Sequence, residues 1–214
     1  MGGKHLIALG LAAVSVAAQA QVLLSQGFED PAVIVSTWQV TNSSTPSGSA
    51  PGWQLGSSSI FPAQAGSAGS FMSANFEAAG AGGTLNALLL SPTFSTATSV
   101  LVEFYARADD TPGYSDSIRY GWSNAAGSVL TLSAPTVVGG ADWVKYSFQI
   151  AAQGTGSTAR FAVNYVGSAD TSSYVGIDSV TVTAVPEPSA LLMLGTGLAG
   201  LTGLTARSRR RPAR

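Results

Sequence analysis

Four segments between residues 99 and 165 alternate apolar and polar side chains with period two, the pattern of a strand that buries one face. In Ser99 to Arg107, Val100, Val102, Phe104 and Ala106 share a face. In Trp143 to Ile150 the shared face is Val144, Tyr146, Phe148 and Ile150, with Lys145, Ser147 and Gln149 opposite. Ile118, Tyr120 and Trp122 alternate with Ser117 and Arg119, and Phe161, Val163 and Tyr165 with Ala162 and Asn164. Turn-forming runs such as Asp109-Asp110-Thr111-Pro112-Gly113 separate them. No stretch of residues 21–184 shows the 3.6-residue period of an amphipathic helix, and residues 41–70 read as a long Ser/Gly/Pro excursion around Trp53 and Phe61. Many short strands with one buried face each predict an all-β, two-sheet antiparallel sandwich, jelly-roll-like in preference to an immunoglobulin topology.

At both ends the pattern changes from alternating to continuously apolar. Residues 1–20 carry Lys4, an apolar run from Leu6 to Ala18, and small residues at Ala18 and Ala20, the layout of a secretory signal peptide cleaved before Gln21. Its partners are the Sec translocon and signal peptidase. The far end, residues 185–214, holds Pro186-Glu187-Pro188, an uncharged run over 189–206, and an Arg-rich end over 207–214 with Arg207, Arg209, Arg210 and Arg211. Eighteen helical residues span about 27 Å, enough for the hydrocarbon core of an inner membrane. The arginines would hold the cytoplasmic side, leaving the sandwich outside as a membrane-anchored precursor.

The order proline-glutamate-proline, apolar helix, terminal arginines resembles the PEP-CTERM sorting tail of Gram-negative bacteria, on the residues Val185 to Arg214. The resemblance implies recognition by an exosortase, which processes the chain near Pro186–Pro188 and passes it to the cell surface or extracellular matrix, often where exopolysaccharide is made. The outer domain carries Gly27-Phe28-Glu29-Asp30, Trp38, Gly69-Ser70-Phe71-Met72, Leu89-Leu90-Ser91-Pro92, Phe104-Tyr105-Ala106-Arg107 and Gly176-Ile177-Asp178-Ser179-Val180. In that order these look like a choice-of-anchor J domain, a MAM-like or carbohydrate-module-like jelly roll. That resemblance implies a fold and leaves the ligand open.

Charge and composition narrow the chemistry. Charged residues make up 10% of the chain, and residues 21–185 hold four cations against ten carboxylates, with no basic patch for nucleic acid. There is no cysteine, and the single histidine, His5, lies in the signal segment. A mature chain without either cannot build a Ser-His-Asp triad, a Cys-His pair or a typical zinc site. Glycoside hydrolysis would need two facing carboxylates; Glu29, Glu77, Glu103, Asp109 and Asp116 are available but form no motif. The chain therefore reads as a non-catalytic protein.

Two sets of residues are candidates for binding. Glu29, Asp30 and Asp178 offer oxygen ligands without His or Cys, a set suited to a structural Ca²⁺ tying the first strand to the last. Asp178 shares its alternation face with Val180 and Val182, an awkward place for an unpaired carboxylate, although Val175 and Ile177 on the other face leave the inward side open. Trp53 and Tyr114, in turn-rich segments, are candidates for an exposed platform that stacks on sugar rings. Asp109, Asp110 and Asp116 lack the spacing of an EF-hand and read as a solvated acidic loop.

Overall fold

The computed structural model describes residues 20–186. The signal segment up to Gln19, Glu187 and Pro188 of the sorting motif, the predicted span over 189–206 and the arginine end lie outside the described residues. Among the described residues no helix is long and apolar enough to cross a membrane.

In chain order the strands are β1 (Val22–Gln26), β2 (Gln39–Asn42), β3 (Thr45–Ser47), β4 (Gln54–Leu55), β5 (Met72–Asn75), β6 (Ala79–Leu90), β7 (Phe94–Ser95), β8 (Val100–Ala108), β9 (Ser117–Asn124), β10 (Leu130–Leu132), β11 (Thr136–Val137), β12 (Val144–Ile150), β13 (Thr158–Ser168) and β14 (Tyr174–Ala184). They form two antiparallel sheets. The first runs β12-β8-β14-β5-β4 with β1 also paired to β14; the second runs β10-β9-β13-β6-β2 with β11, β3 and β7 at its margins.

The alternating segments become β8, β9, β12 and β13, and their apolar faces meet between the sheets, save that the face of β12 begins at Tyr146, Val144 being 45% exposed. Along β8, Val100, Val102, Phe104, Ala106 and Ala108 are buried while Leu101, Glu103, Tyr105 and Arg107 are half-buried on the other side. Phe104 lies 5.0 Å from Phe161 and 5.4 Å from Tyr146 between ring centroids, so both sheets fill one aromatic centre.

Two expectations are corrected. A helix, α1 (Pro31–Thr37), follows β1, and no amphipathic period announces it. Its start is set by end chemistry: the Asp30 carboxylate accepts from the Ala32 N–H at 2.9 Å, and Pro31 occupies the first turn, where its missing N–H costs nothing. The excursion over 41–70 is likewise not one loop. β2 and β3 pair with β6, and β4 pairs with β5, so the longest irregular part is the one from Gly56 to Phe71.

That irregular part is a strap across the outer face of the first sheet. Phe61 and Phe71 stack at 5.2 Å, Tyr174 and Trp143 meet Phe61 edge-on, and the Arg107 guanidinium lies 4.8 Å from the Phe61 centroid. Gly176 makes the close approach possible: a Cβ there would come 2.8 Å from the Phe71 ring. The Tyr174 hydroxyl accepts from Ser57 N–H, and Trp143 Nε1 donates to the Pro62 carbonyl.

Candidate functional site

Asp178 lies under the strap, and a β-bulge puts it there. Paired with β8, Asp178 faces Tyr105 and Thr181 faces Glu103, with the register shifting between them at Ser179, whose φ is 52°. A bulge adds one residue and exchanges the faces. Val175 and Ile177 before it and Val180 and Val182 after it therefore all reach the core, while Asp178 points outward with Tyr105. The expectation that Asp178 shares a face with Val180 and Val182 fails at this residue. Although outward, the carboxylate is 0% exposed. Oδ2 accepts from Gln64 N–H at 2.9 Å and Ala65 N–H at 3.2 Å, and Oδ1 from Ser179 N–H at 2.5 Å. Burial pushes its pKa up to about 6 against those hydrogen bonds, with the negative charge of Glu29 adding to the rise.

Glu29 grips the same strap from the other end of the chain. Its Oε1 accepts from Ser67 N–H and Ser70 Oγ, both at 3.0 Å, and these bonds hold its pKa below the usual carboxylate range. The structure thus brings Glu29 and Asp178 to one segment, residues 64–70. Asp30 is engaged as the helix cap and does not join them. Among the described residues no group of three or more His, Cys, Asp or Glu side chains converges. The one ion pair among them joins Lys145 to Glu103 at 2.6 Å, away from this segment on the β8–β12 surface. Phe28, just before Glu29, holds a φ of 57°, so each gripping carboxylate adjoins a non-glycine residue in the left-handed region.

The aromatic candidates separate. Trp53 is 2% exposed and donates Nε1 to the Ala87 carbonyl at 2.8 Å, so it belongs to the core and is not an exposed platform. Tyr114 is 49% exposed and stands on the wall of a cleft of about 650 Å³. Thr111-Pro112-Gly113-Tyr114 is a tight turn closed by Tyr114 N–H to the Thr111 carbonyl at 3.2 Å, with Gly113 at φ 89° as the turn geometry requires. Across the cleft stands Phe76, 45% exposed, in a single 3₁₀ turn after β5 and tied by its N–H to the Ser173 carbonyl. Glu77 and Asp170 also line the cleft.

Asp109 and Asp116 form the scaffold of that wall, contrary to the expectation of a solvated loop. Asp116 is 2% exposed and accepts from Ser173 N–H, Tyr174 N–H and the Tyr165 hydroxyl. Asp109 Oδ2 accepts from Ser173 Oγ at 2.6 Å and Thr111 Oγ1 at 2.9 Å. Burial raises the pKa of Asp116 and, with the adjacent Asp116 charge, that of Tyr165. Only Asp110 of the three is fully exposed. Phe76 was not legible as a site residue; its one trace is a bulky aromatic beside Glu77 at the edge of an Ala/Gly-rich run.

The fold defines the class: a two-sheet β-sandwich, similar in fold to cleaved adhesin domains. The K1 cleaved adhesin domain of Lys-gingipain from Porphyromonas gingivalis aligns with TM-score 0.58 and 18% identity, covering 79% of this chain and 100% of that one. The K3 cleaved adhesin domain of the same protein aligns with TM-score 0.52 and 16% identity, covering 77% and 100%. A xylan-binding domain from Paenibacillus barcinonensis aligns at 0.45, with 16% identity over 80% of this chain and 99% of that one. None of the curated proteins matches the chain as a relative. Residues 184–211 match the PEP-CTERM protein-sorting motif. The motif marks an exported surface protein handled at the membrane by an exosortase.

Proposed function

We propose that the chain is a non-catalytic protein of the cell surface or exopolysaccharide matrix, whose sandwich is the cargo and whose tail is the sorting label. In this reading the Sec translocon and signal peptidase deliver a chain beginning at Gln21, the 189–206 span halts it in the inner membrane of a Gram-negative cell, and the exosortase cuts near Pro186–Pro188. The carrying observation is where the sorting motif begins. β14 ends at Ala184, the first residue matched by the motif, and the last sheet-edge bond is Val185 N–H to the Ser99 carbonyl. Cleavage beyond that point removes no strand. The expected start is compatible with the fold in the same way: Gln21 lends its carbonyl to Ala184 N–H, so cleavage after Ala20 would leave β1 whole. The dispersal of the carboxylates among strap, cleft wall and ion pair supports a non-catalytic role.

Intact mass and cell fractionation, with and without the exosortase, test this. A product starting at Gln21, ending near Pro186–Pro188, and leaving the inner membrane only when the exosortase is present is the expected result. An uncut chain in the inner membrane under both conditions overturns it.

The same domain reads secondly as a carbohydrate-binding module, favoured by the half-exposed aromatics that flank the cleft. A structural calcium ion between Glu29 and Asp178 is part of the proposal. Two carboxylates grip seven residues with, among the described residues, no cationic side chain paired to either, and each adjoins a left-handed non-glycine residue whose conformation costs about 1–2 kcal/mol. Ca²⁺ would supply the missing positive charge and fix both chain ends to the strap. A calcium titration of the chelator-treated protein, followed by thermal melting, should raise the midpoint for wild type and not for Asp178→Asn; identical midpoints with and without calcium remove the ion from the proposal.

A further inference from the structure

We infer that the Phe76–Tyr114 cleft is the glycan site of this domain, that it takes uncharged pyranose units, and that the fold presents it at the pole of the sandwich opposite Val22 and Ala184. The inference rests on the carbohydrate-binding reading above and gives it a place and a ligand class.

The position follows from strand register. β1 and β14 are antiparallel, with Val22 opposite Thr183, so the chain enters and leaves the sandwich at one pole. β14 begins at Tyr174, opposite Asn75 of β5, one residue before Phe76. β8 ends at Ala108 just before the Thr111–Tyr114 turn, and β13 ends at Ser168 just before Asp170. The walls of the cleft are thus connections and the first residues of β6, all at the opposite pole. The eleven residues of β14 separate the two poles by about 33 Å, at roughly 3.3 Å per residue.

The ligand class follows from the lining. Phe76 and Tyr114 leave about half their surface uncovered in a concave site, where an aromatic face can pack on the C–H face of a pyranose. Both are rigidly mounted, one by Ser173 and the other by the closed turn, so little freedom is lost on binding. Glu77, Asp170 and Ser49 supply acceptors for sugar hydroxyls, and among the described residues no Lys or Arg lines the cleft. An acidic polysaccharide would meet two carboxylates and no cation; a neutral one meets acceptors. The groove of about 620 Å³ along Thr84, Asn86, Arg119 and Asn164 has no aromatic lining and lacks the stacking face.

The test uses the full chain in a detergent without a sugar headgroup, by calorimetric titration with hexamers of glucose, xylose, mannose, galactose and a uronic acid. Binding of a neutral hexamer that Phe76→Ala and Tyr114→Ala each weaken by about tenfold or more, with the uronate hexamer weaker, is the expected result. Thermal melts that match wild type show that both variants are folded. Neutral-sugar binding unchanged in both variants overturns the site while leaving the carbohydrate reading intact. A uronate hexamer bound as tightly as the neutral ones overturns the ligand class, and the absence of binding to every hexamer overturns the site and that reading together.

Discussion

Between the sheets, Phe104 packs among Tyr120, Tyr146 and Phe161, and the residues around it come from strands that alternate apolar and polar. On the outer face of the first sheet, Phe61 and Phe71 pack with Tyr174 and Trp143, yet here polar groups hold the chain in place: Asp178, Glu29, Arg107 and the Tyr174 hydroxyl. The first cluster is closed by two sheets that cannot separate without unfolding. The second is closed by a strap that can lift while the sheets remain. Apolar burial alone does not say which kind of closure a cluster has; the ordering of the covering backbone does.

The comparison can be broken at four points. Phe104→Ala should have the largest effect, about 3–5 kcal/mol of global stability lost in urea unfolding, because the cavity opens where both sheets meet. A loss below about 1 kcal/mol would mean that the aromatic centre is not the common core. Asp178→Ala should cost about 1–3 kcal/mol by leaving strap N–H groups without an acceptor. Hydrogen exchange should then quicken over residues 57–70 while β8 and β13 stay protected; uniform loss of protection would show that strap and sheets are one cooperative unit.

The third point is pH. The pKa of Asp178 is raised to about 6 in the folded state, so the fold holds this proton more tightly than the unfolded chain does. Without divalent cations its contribution is full below about pH 4 and is lost as pH rises through about 6, with Asp178→Asn flattening that slope. A bound Ca²⁺ favours the ionised form and reverses the sign. Thermal midpoints across pH 4–7, with and without calcium, read both. Lys145→Ala should do least, leaving the urea midpoint unchanged within the scatter of wild type, because its partner Glu103 is also on the solvent side.

The same contrast explains what could be read from the chain. β8, β9, β12 and β13 were legible because the apolar side chains of each pack toward the opposite sheet over most of its length, which imprints a period of two. β6 was not, since six of its twelve residues are Ala or Gly and carry little hydrophobic signal. The bulge at Ser179 resets the alternation at the residue that mattered most, so the carboxylate could be named but not its face. Trp53 sat in turn-rich sequence yet reaches the core, because β4 returns to the sheet immediately after it. Phe76 and Tyr114 come from connections at one pole, 38 positions apart, and only the register of β5, β8 and β14 brings them to one cleft.

Gln21 and Ala184 are neighbours in the sheet, so the sandwich has its entry and its exit side by side. A module of that shape is portable. Whatever sequence flanks it can be exchanged, its two ends joined by a short linker in a circular permutant, or the whole spliced into a surface turn of another protein, while every strand keeps its partner. Recombination could then re-address the same domain to a different anchor by changing only the sequence beyond those two residues.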